Sequence, residues 1–294
     1  MTNPILNIQA LATAAAKDKD FTKVSEGGSF ERVLPIAGVG FIRLREYIEL
    51  GIHPHGGVKF RKDKPLARFV FELTHKKHLQ EFEKDGEKRF VPHTIAVTVP
   101  ISDNASADYI KIFSALNWEQ TATHPLQCIG KPLMCEVVIS DNGLEGAEKR
   151  EYVNLWKGVP KDKNWTIAPP IVKADPLDED AKDKMIGDMI PKLIGGDESM
   201  KALLWSHADE AQWNSIFIDG TRTEKGKDGA ADKEVSKNWL QLKIMEAKNF
   251  PGSACEQVCL AGGQLDNLPT SKDEVAESAA DVAETDAALA ALGM

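Results

Sequence analysis

Between Arg43 and Arg68 the chain sets seven basic residues, Arg43, Arg45, Lys59, Arg61, Lys62, Lys64 and Arg68, against three acids, Glu46, Glu49 and Asp63. This surplus of four positive charges lies inside a chain of formal net charge −9. Aromatic residues interleave with it. Phe41 and Tyr47 share one expected strand face with Arg43 and Arg45, and Phe60 stands among the loop bases. Lys and Arg neutralise phosphates and release counterions, and aromatic faces stack unpaired bases for roughly 1–3 kcal/mol each. The pattern suits a flexible polyanion that carries bases. A solvated hairpin of ordinary charge is the competing reading of the same residues.

The tryptophans extend the pattern. Trp156 stands beside Lys157, and Trp165 follows Lys161 and Lys163. Both indoles are stacking candidates, with Lys157 on phosphate; the alternative is a core plug, since Trp is usually well buried. Trp205, Trp213 and Trp239 are expected in core or docking positions. His53, His55, His75, His78 and His93 supply imidazoles enough for zinc, but no Cys pair accompanies them and their spacing fits no closed structural site. Cys255 and Cys259 likewise lack a matching pair. No metal and no cofactor is therefore expected. The chain has no phosphate-binding or dinucleotide-binding Gly-rich loop, no Gly-x-Ser-x-Gly elbow and no His-Glu-x-x-His. No catalytic residue is assigned, and the protein is not expected to be an enzyme.

Strands and one helix must position these residues. Phe30 to Leu50 reads as a long strand whose second half alternates: Phe41, Arg43, Arg45, Tyr47 and Glu49 on one face, Ile42, Leu44, Glu46, Ile48 and Leu50 on the other. Gly38 and Gly40 permit a bulge or curl. Leu66–His75 is a second strand and Arg89–Val99 a third, after an Asp85-Gly86 turn. The spacing of Ile110, Phe113 and Leu116 predicts a helix over Ala107–Leu116, led by Ser106 or Asn104. Pro132–Ser140, an Asp141-Asn142-Gly143 turn and Glu151–Trp156 complete the set. Three strands, a helix, then two strands is the order of the oligonucleotide/oligosaccharide-binding (OB) barrel. The expected fold is thus mainly β with some α: a five-stranded antiparallel OB-type barrel with a helix between strands 3 and 4, a smaller α-containing C-terminal segment and a disordered acidic tail. The domain divisions are 1–24 for an N-terminal arm or short helix, 25–170 for the OB-fold nucleic-acid-binding domain, 171–252 for the helical C-terminal segment and 253–294 for the tail. Within the third, Lys201–Phe217 is loosely helical. A helix capped by Ser236 runs through Asn249, with Trp239, Leu242 and Met245 on one face.

Composition sets the limits. The chain has 294 residues, 42% of them hydrophobic, so it can bury a core. It has no apolar run of the roughly 18 residues needed to span a membrane, and its N-terminus does not read as a secretory signal. Four scattered cysteines suit a reducing cytoplasm. A pI near 5.4 argues against adhesion by the whole molecule but not by a local basic face. Asp273–Met294 holds six acids and no Lys or Arg, which leaves −3 on the first 272 residues. It is expected as a solvated arm that competes with a polyanion or recruits partners.

Four stretches carry a resemblance: GGSFERVLPIAGVGFIRLREYIELGIHPH, KPLARFVFELTHKKH, WNSIFIDG and SKNWLQLKIMEAKNFPGS, spanning Gly27 to Ser253. Together they resemble the single-stranded DNA-binding proteins of tailed bacteriophages. The resemblance implies an OB-type core, binding of exposed strands without sequence preference in phage DNA replication or recombination, the host cytoplasm as location, and no catalysis. It also implies an acidic tail that contacts phage replication proteins. Here the tail agrees in charge, but Leu292-Gly293-Met294 lacks the terminal aromatic that many such tails carry. Self-association accompanies this reading; the alternatives carried forward are a phage structural or assembly protein, using the barrel for protein contacts, and an enzyme of nucleotide or nucleic-acid metabolism that would need a metal at the histidines.

Overall fold

In a computed structural model of the chain, which describes residues 33–56, 62–84, 87–141, 151–159, 162–174, 182–224 and 233–261, the alternating run after Gly38 forms one strand of 18 residues, β1 (Gly38–His55). The chain divides into units Met1–Leu34 and Pro35–Met294, and every described strand and helix belongs to the second. In order come β2 (Lys62–Leu73), β3 (Leu79–Lys84), β4 (Glu87–Pro92), β5 (Thr94–Pro100), α1 (Asp108–Leu116), β6 (Pro132–Asp141), β7 (Glu151–Asn154), β8 (Trp156–Val159) and β9 (Asp162–Trp165). Then come β10 (Ile171–Val172), β11 (Lys184–Met185), β12 (Lys201–Leu203), α2 (Glu210–Ser215), β13 (Thr221–Glu224), β14 (Lys233–Ser236), α3 (Trp239–Met245) and α4 (Ala254–Ala261). The fold is mainly β with some helices. The main sheet runs β5-β2-β1-β6-β7, antiparallel throughout, and β12 joins β1 in parallel. One edge of β1 is used twice: β6 pairs with Gly38–Arg43, and β12 with Glu46–Ile48. Among the described residues β5 and β7 do not pair, and no closed barrel forms.

Two register shifts decide what β1 does. Against β2, Leu44 opposes Phe71 and Glu46 opposes Val70, so Arg45 is the extra residue; Leu50 is skipped in the same way. A one-residue bulge moves every later side chain to the other face. The expected alternation therefore holds only up to Leu44. Ile42, Leu44 and Tyr47 all enter one core, with Phe69, Phe71, Ile112 of α1 and Leu133 of β6. Ile48 and Leu50 enter a second core, with Leu66, Leu203, Trp213, Leu240 and Ile244. The sheet thus buries both faces. Gly51, at φ +81°, lets the two layers meet, because a Cβ there would overlap the Trp205 ring and the Ala247 methyl.

Several elements differ from expectation. The long strand starts at Gly38, not Phe30. The third strand breaks at His93: β4 leaves the sheet to pair with β3 as a ribbon, and only β5 pairs with β2. Lys201–Leu203 is a strand because it meets the edge of β1, and only Glu210–Ser215 of that stretch is α-helical. α3 turns Leu240, Gln241 and Ile244 inward rather than Trp239, Leu242 and Met245. Segment 171–252 is tied into the sheet by β12, and Ala254–Ala261, within the stretch expected as tail, is helical with Cys255 and Cys259 buried. The N-terminal arm, residues 262–294, the Asp85-Gly86 and Asn142-Gly143 turns, and Lys59, Phe60 and Arg61 lie outside the described residues. No described helix is long and apolar enough to cross a membrane.

Candidate nucleic-acid interface

At the root of β1 the predicted cations are bound by the protein itself. The Arg43 guanidinium donates from Nε to Pro191 O at 2.8 Å, from Nη1 to Gly130 O at 2.5 Å and from Nη2 to Ile190 O at 2.8 Å. Arg45 donates to Glu72 Oε2 at 3.1 Å and to Ser199 O at 3.2 Å. Glu72 is fully buried and also accepts from Ile194 N at 2.7 Å. Burial raises its carboxyl pKa, and the Ile194 and Arg45 contacts oppose that shift. These two arginines clamp residues 190–199 onto the sheet. Tyr47, expected to stack bases, is 0% exposed, and its hydroxyl hydrogen-bonds Tyr109 and Glu49. The first bulge put it there.

The tryptophan pair behaves differently. Trp156 and Trp165 are cross-strand partners in the β8–β9 ribbon, and Lys163 Nζ lies 5.6 Å and 5.8 Å from their ring centroids. A lysine at this range gains cation–π attraction from both rings. Asp108, in the first turn of α1, orients the group: it accepts from Lys163 Nζ at 3.0 Å and from Trp165 Nε1 at 3.1 Å. Gly158, at φ +93°, makes the tight ribbon possible, since a Cβ there would lie 2.7 Å from Asp162 O. Both indoles are partly buried, and Trp165 packs against the first core, so each offers only part of its surface to solvent. Lys157 is exposed and pairs with Glu136 at 2.6 Å, a surface contact worth at most about 1 kcal/mol.

On β2, Lys62 and Lys64 are exposed, opposite His55 and His53 of β1. Burial lowers the His55 pKa, and the charges of Lys64 and Lys163 lower it further. Asp63 turns instead to Lys248 at 2.7 Å. Arg68, four residues along β2 from Lys64, stacks on Trp239 with 4.8 Å between its guanidinium carbon and the ring centroid. Its Nε is buried without a hydrogen-bond partner among the described residues. Burial lowers the Arg68 pKa.

Of the sequence-predicted set, the fold gathers Trp156, Lys157 and Trp165 at one ribbon and leaves Lys62 and Lys64 exposed on β2. It sets Arg68 apart, on Trp239, engages Arg43 and Arg45 with the protein's own oxygens, and buries Tyr47. Lys163 was expected with Trp165 on the stacking and phosphate track; His55, Asp108 and Trp239 were not assigned to the site from sequence and have no local signature. The histidines do not converge on a metal: among the described residues no group of three or more His, Cys, Asp or Glu could hold one. Comparison with protein-family models, with curated proteins and with solved structures finds no match to the chain.

Proposed function

We propose that the protein binds single-stranded DNA without sequence preference, coating exposed strands in phage DNA replication or recombination, through an OB-type core left open at one seam. The sheet path β5-β2-β1-β6-β7 with α1 between β5 and β6 supports this reading, because OB strands are laid down in that order. The observation that carries it is the Trp156–Lys163–Trp165 group, with Lys62 and Lys64 exposed on β2. Unpaired bases stack on the open part of the indoles, and the lysines take the phosphates. Stacking is indifferent to base identity, which is what coating requires. Asp108 holds Lys163 until a phosphate competes for it. Residues 273–294 serve partner recruitment by charge, with replication proteins as the partners.

The test is anisotropy of a labelled poly-dT oligomer titrated with protein over a range of salt, against duplex of equal length. Preference for the single strand, with affinity falling linearly in log salt, is expected. No binding at low salt sinks the reading. One observation favours a protein-contact role instead. Val172, Met185 and Met189 are exposed around the β10–β11 ribbon, and flexible thioethers suit adaptable docking. In that case the protein forms a regular oligomer and its DNA affinity is negligible.

A further inference from the structure

We infer that Trp239, stacked on Arg68, is a second platform for an unpaired nucleobase, supplied by the C-terminal segment. The inference rests on the single-strand binding reading. Trp239 opens α3, and its backbone is fixed from behind. Asn238, buried, accepts from Ile218 N at 3.3 Å and donates from Nδ2 to Gln241 Oε1 at 2.6 Å; Gln241 then donates to Trp213 O at 2.8 Å. With Leu240 and Ile244 drawn into the second core, the indole is directed away from the helix interior and remains 40% exposed. Large indoles are seldom left so open without a ligand or partner.

The ring is prepared for stacking. Arg68 lies against it and, unlike Arg43, is not saturated by the protein's own oxygens: its Nε has no partner among the described residues. A guanidinium beneath an indole holds the ring in one orientation, so less side-chain freedom is lost when a base arrives. Glu46 acts electrostatically on Arg68 and offsets its charge. The platform therefore contributes stacking, not phosphate neutralisation.

Phe217, the sequence neighbour of the Ile218 held by Asn238, is itself 44% exposed. Alternate residues of a strand share a face, so Lys62, Lys64 and Arg68 lie on one side of β2, with Leu66 between them buried in the second core. At about 3.3 Å per residue, Lys64 and Arg68 are about 13 Å apart, a reach of a few nucleotides.

The experiment uses the full chain labelled with 5-fluorotryptophan and a poly-dT oligomer, with Trp239→Phe assigning the Trp239 fluorine resonance. Oligomer should shift that resonance. Trp239→Ala should weaken binding about 5- to 150-fold, the range of one stacked base at 1.36 kcal/mol per tenfold. Trp239→Phe should recover most of the loss, with the salt slope unchanged in both. An unshifted resonance, or wild-type affinity in a folded Trp239→Ala protein, overturns the second platform while leaving the first in place. If the unsubstituted chain does not bind the oligomer, the binding reading itself fails.

Discussion

Arg43 and Lys163 mark two regions built from the same residue types with opposite outcomes. At the root of β1, each Arg43 nitrogen is bonded to a backbone carbonyl, and Arg45 is shared between Glu72 and Ser199. At the β8–β9 ribbon, Lys163 has one carboxylate and two partly buried indoles. The first region commits its charge to the fold; the second is the proposed ligand site. A basic-aromatic count does not distinguish them. What does is the number of the protein's own oxygens within reach of each cation.

The largest test of that contrast is Glu72→Ala. It leaves the partly buried Arg45 with only one carboxylate, the longer Glu46 contact at 3.9 Å, and the Ile194 N–H without an acceptor. It should cost about 3–5 kcal/mol in urea unfolding, while the folded fraction keeps its oligonucleotide affinity. An unchanged urea midpoint would refute the clamp.

A pH effect comes next. His78 is 1% exposed, neither ring nitrogen has a partner among the described residues, and burial with nearby Lys77, His93 and His75 depresses its pKa to about 4. The unfolded chain binds a proton near 6.5 and the folded one does not. Stability is therefore whole above pH 6.5, is lost as pH falls from 6.5 towards 4, and levels off below. The loss from this group is at most about 3 kcal/mol. Melting temperatures of the protein and of His78→Leu, taken across this window, should converge in slope only if His78 is not responsible.

Trp156→Ala reverses the pattern of Glu72→Ala. Oligonucleotide affinity should fall by about 1–3 kcal/mol, with little change in urea midpoint. Equal affinity in variant and parent would move the interface elsewhere. The smallest effect is expected from Lys64→Ala: binding a few-fold weaker at fixed salt, and a log–log salt slope reduced by about 0.7 if one phosphate contact is lost. A parallel salt line would take Lys64 off the track.

Much of the sheet was legible. β2, α1, β6 and β7 lie close to where period-two and helical spacing put them, and β1 follows its expected alternation as far as Leu44, because each pattern follows from which side chains face a core. The break at His93 was not, since β4 and β5 differ only in which strand they pair with. Of the proposed site, the clustering of Trp156, Lys157 and Trp165 and the exposure of Lys62 and Lys64 were legible, because those cations and rings are close in sequence or lie on an exposed strand end. It was illegible at Arg43, Arg45 and Tyr47. Nothing local signals a bulge at Arg45, and the carbonyls that capture Arg43 come from Gly130, Ile190 and Pro191, 87 to 148 residues away.

By itself the sequence determined the strands and the helix, the surplus of cations and indoles, and the acidic character of the last residues. These are properties of neighbours along the chain. Only the tertiary structure decided which cations stay available. A bulge reverses a strand face, and a distant carbonyl or carboxylate neutralises an arginine, through contacts that sequence distance does not encode.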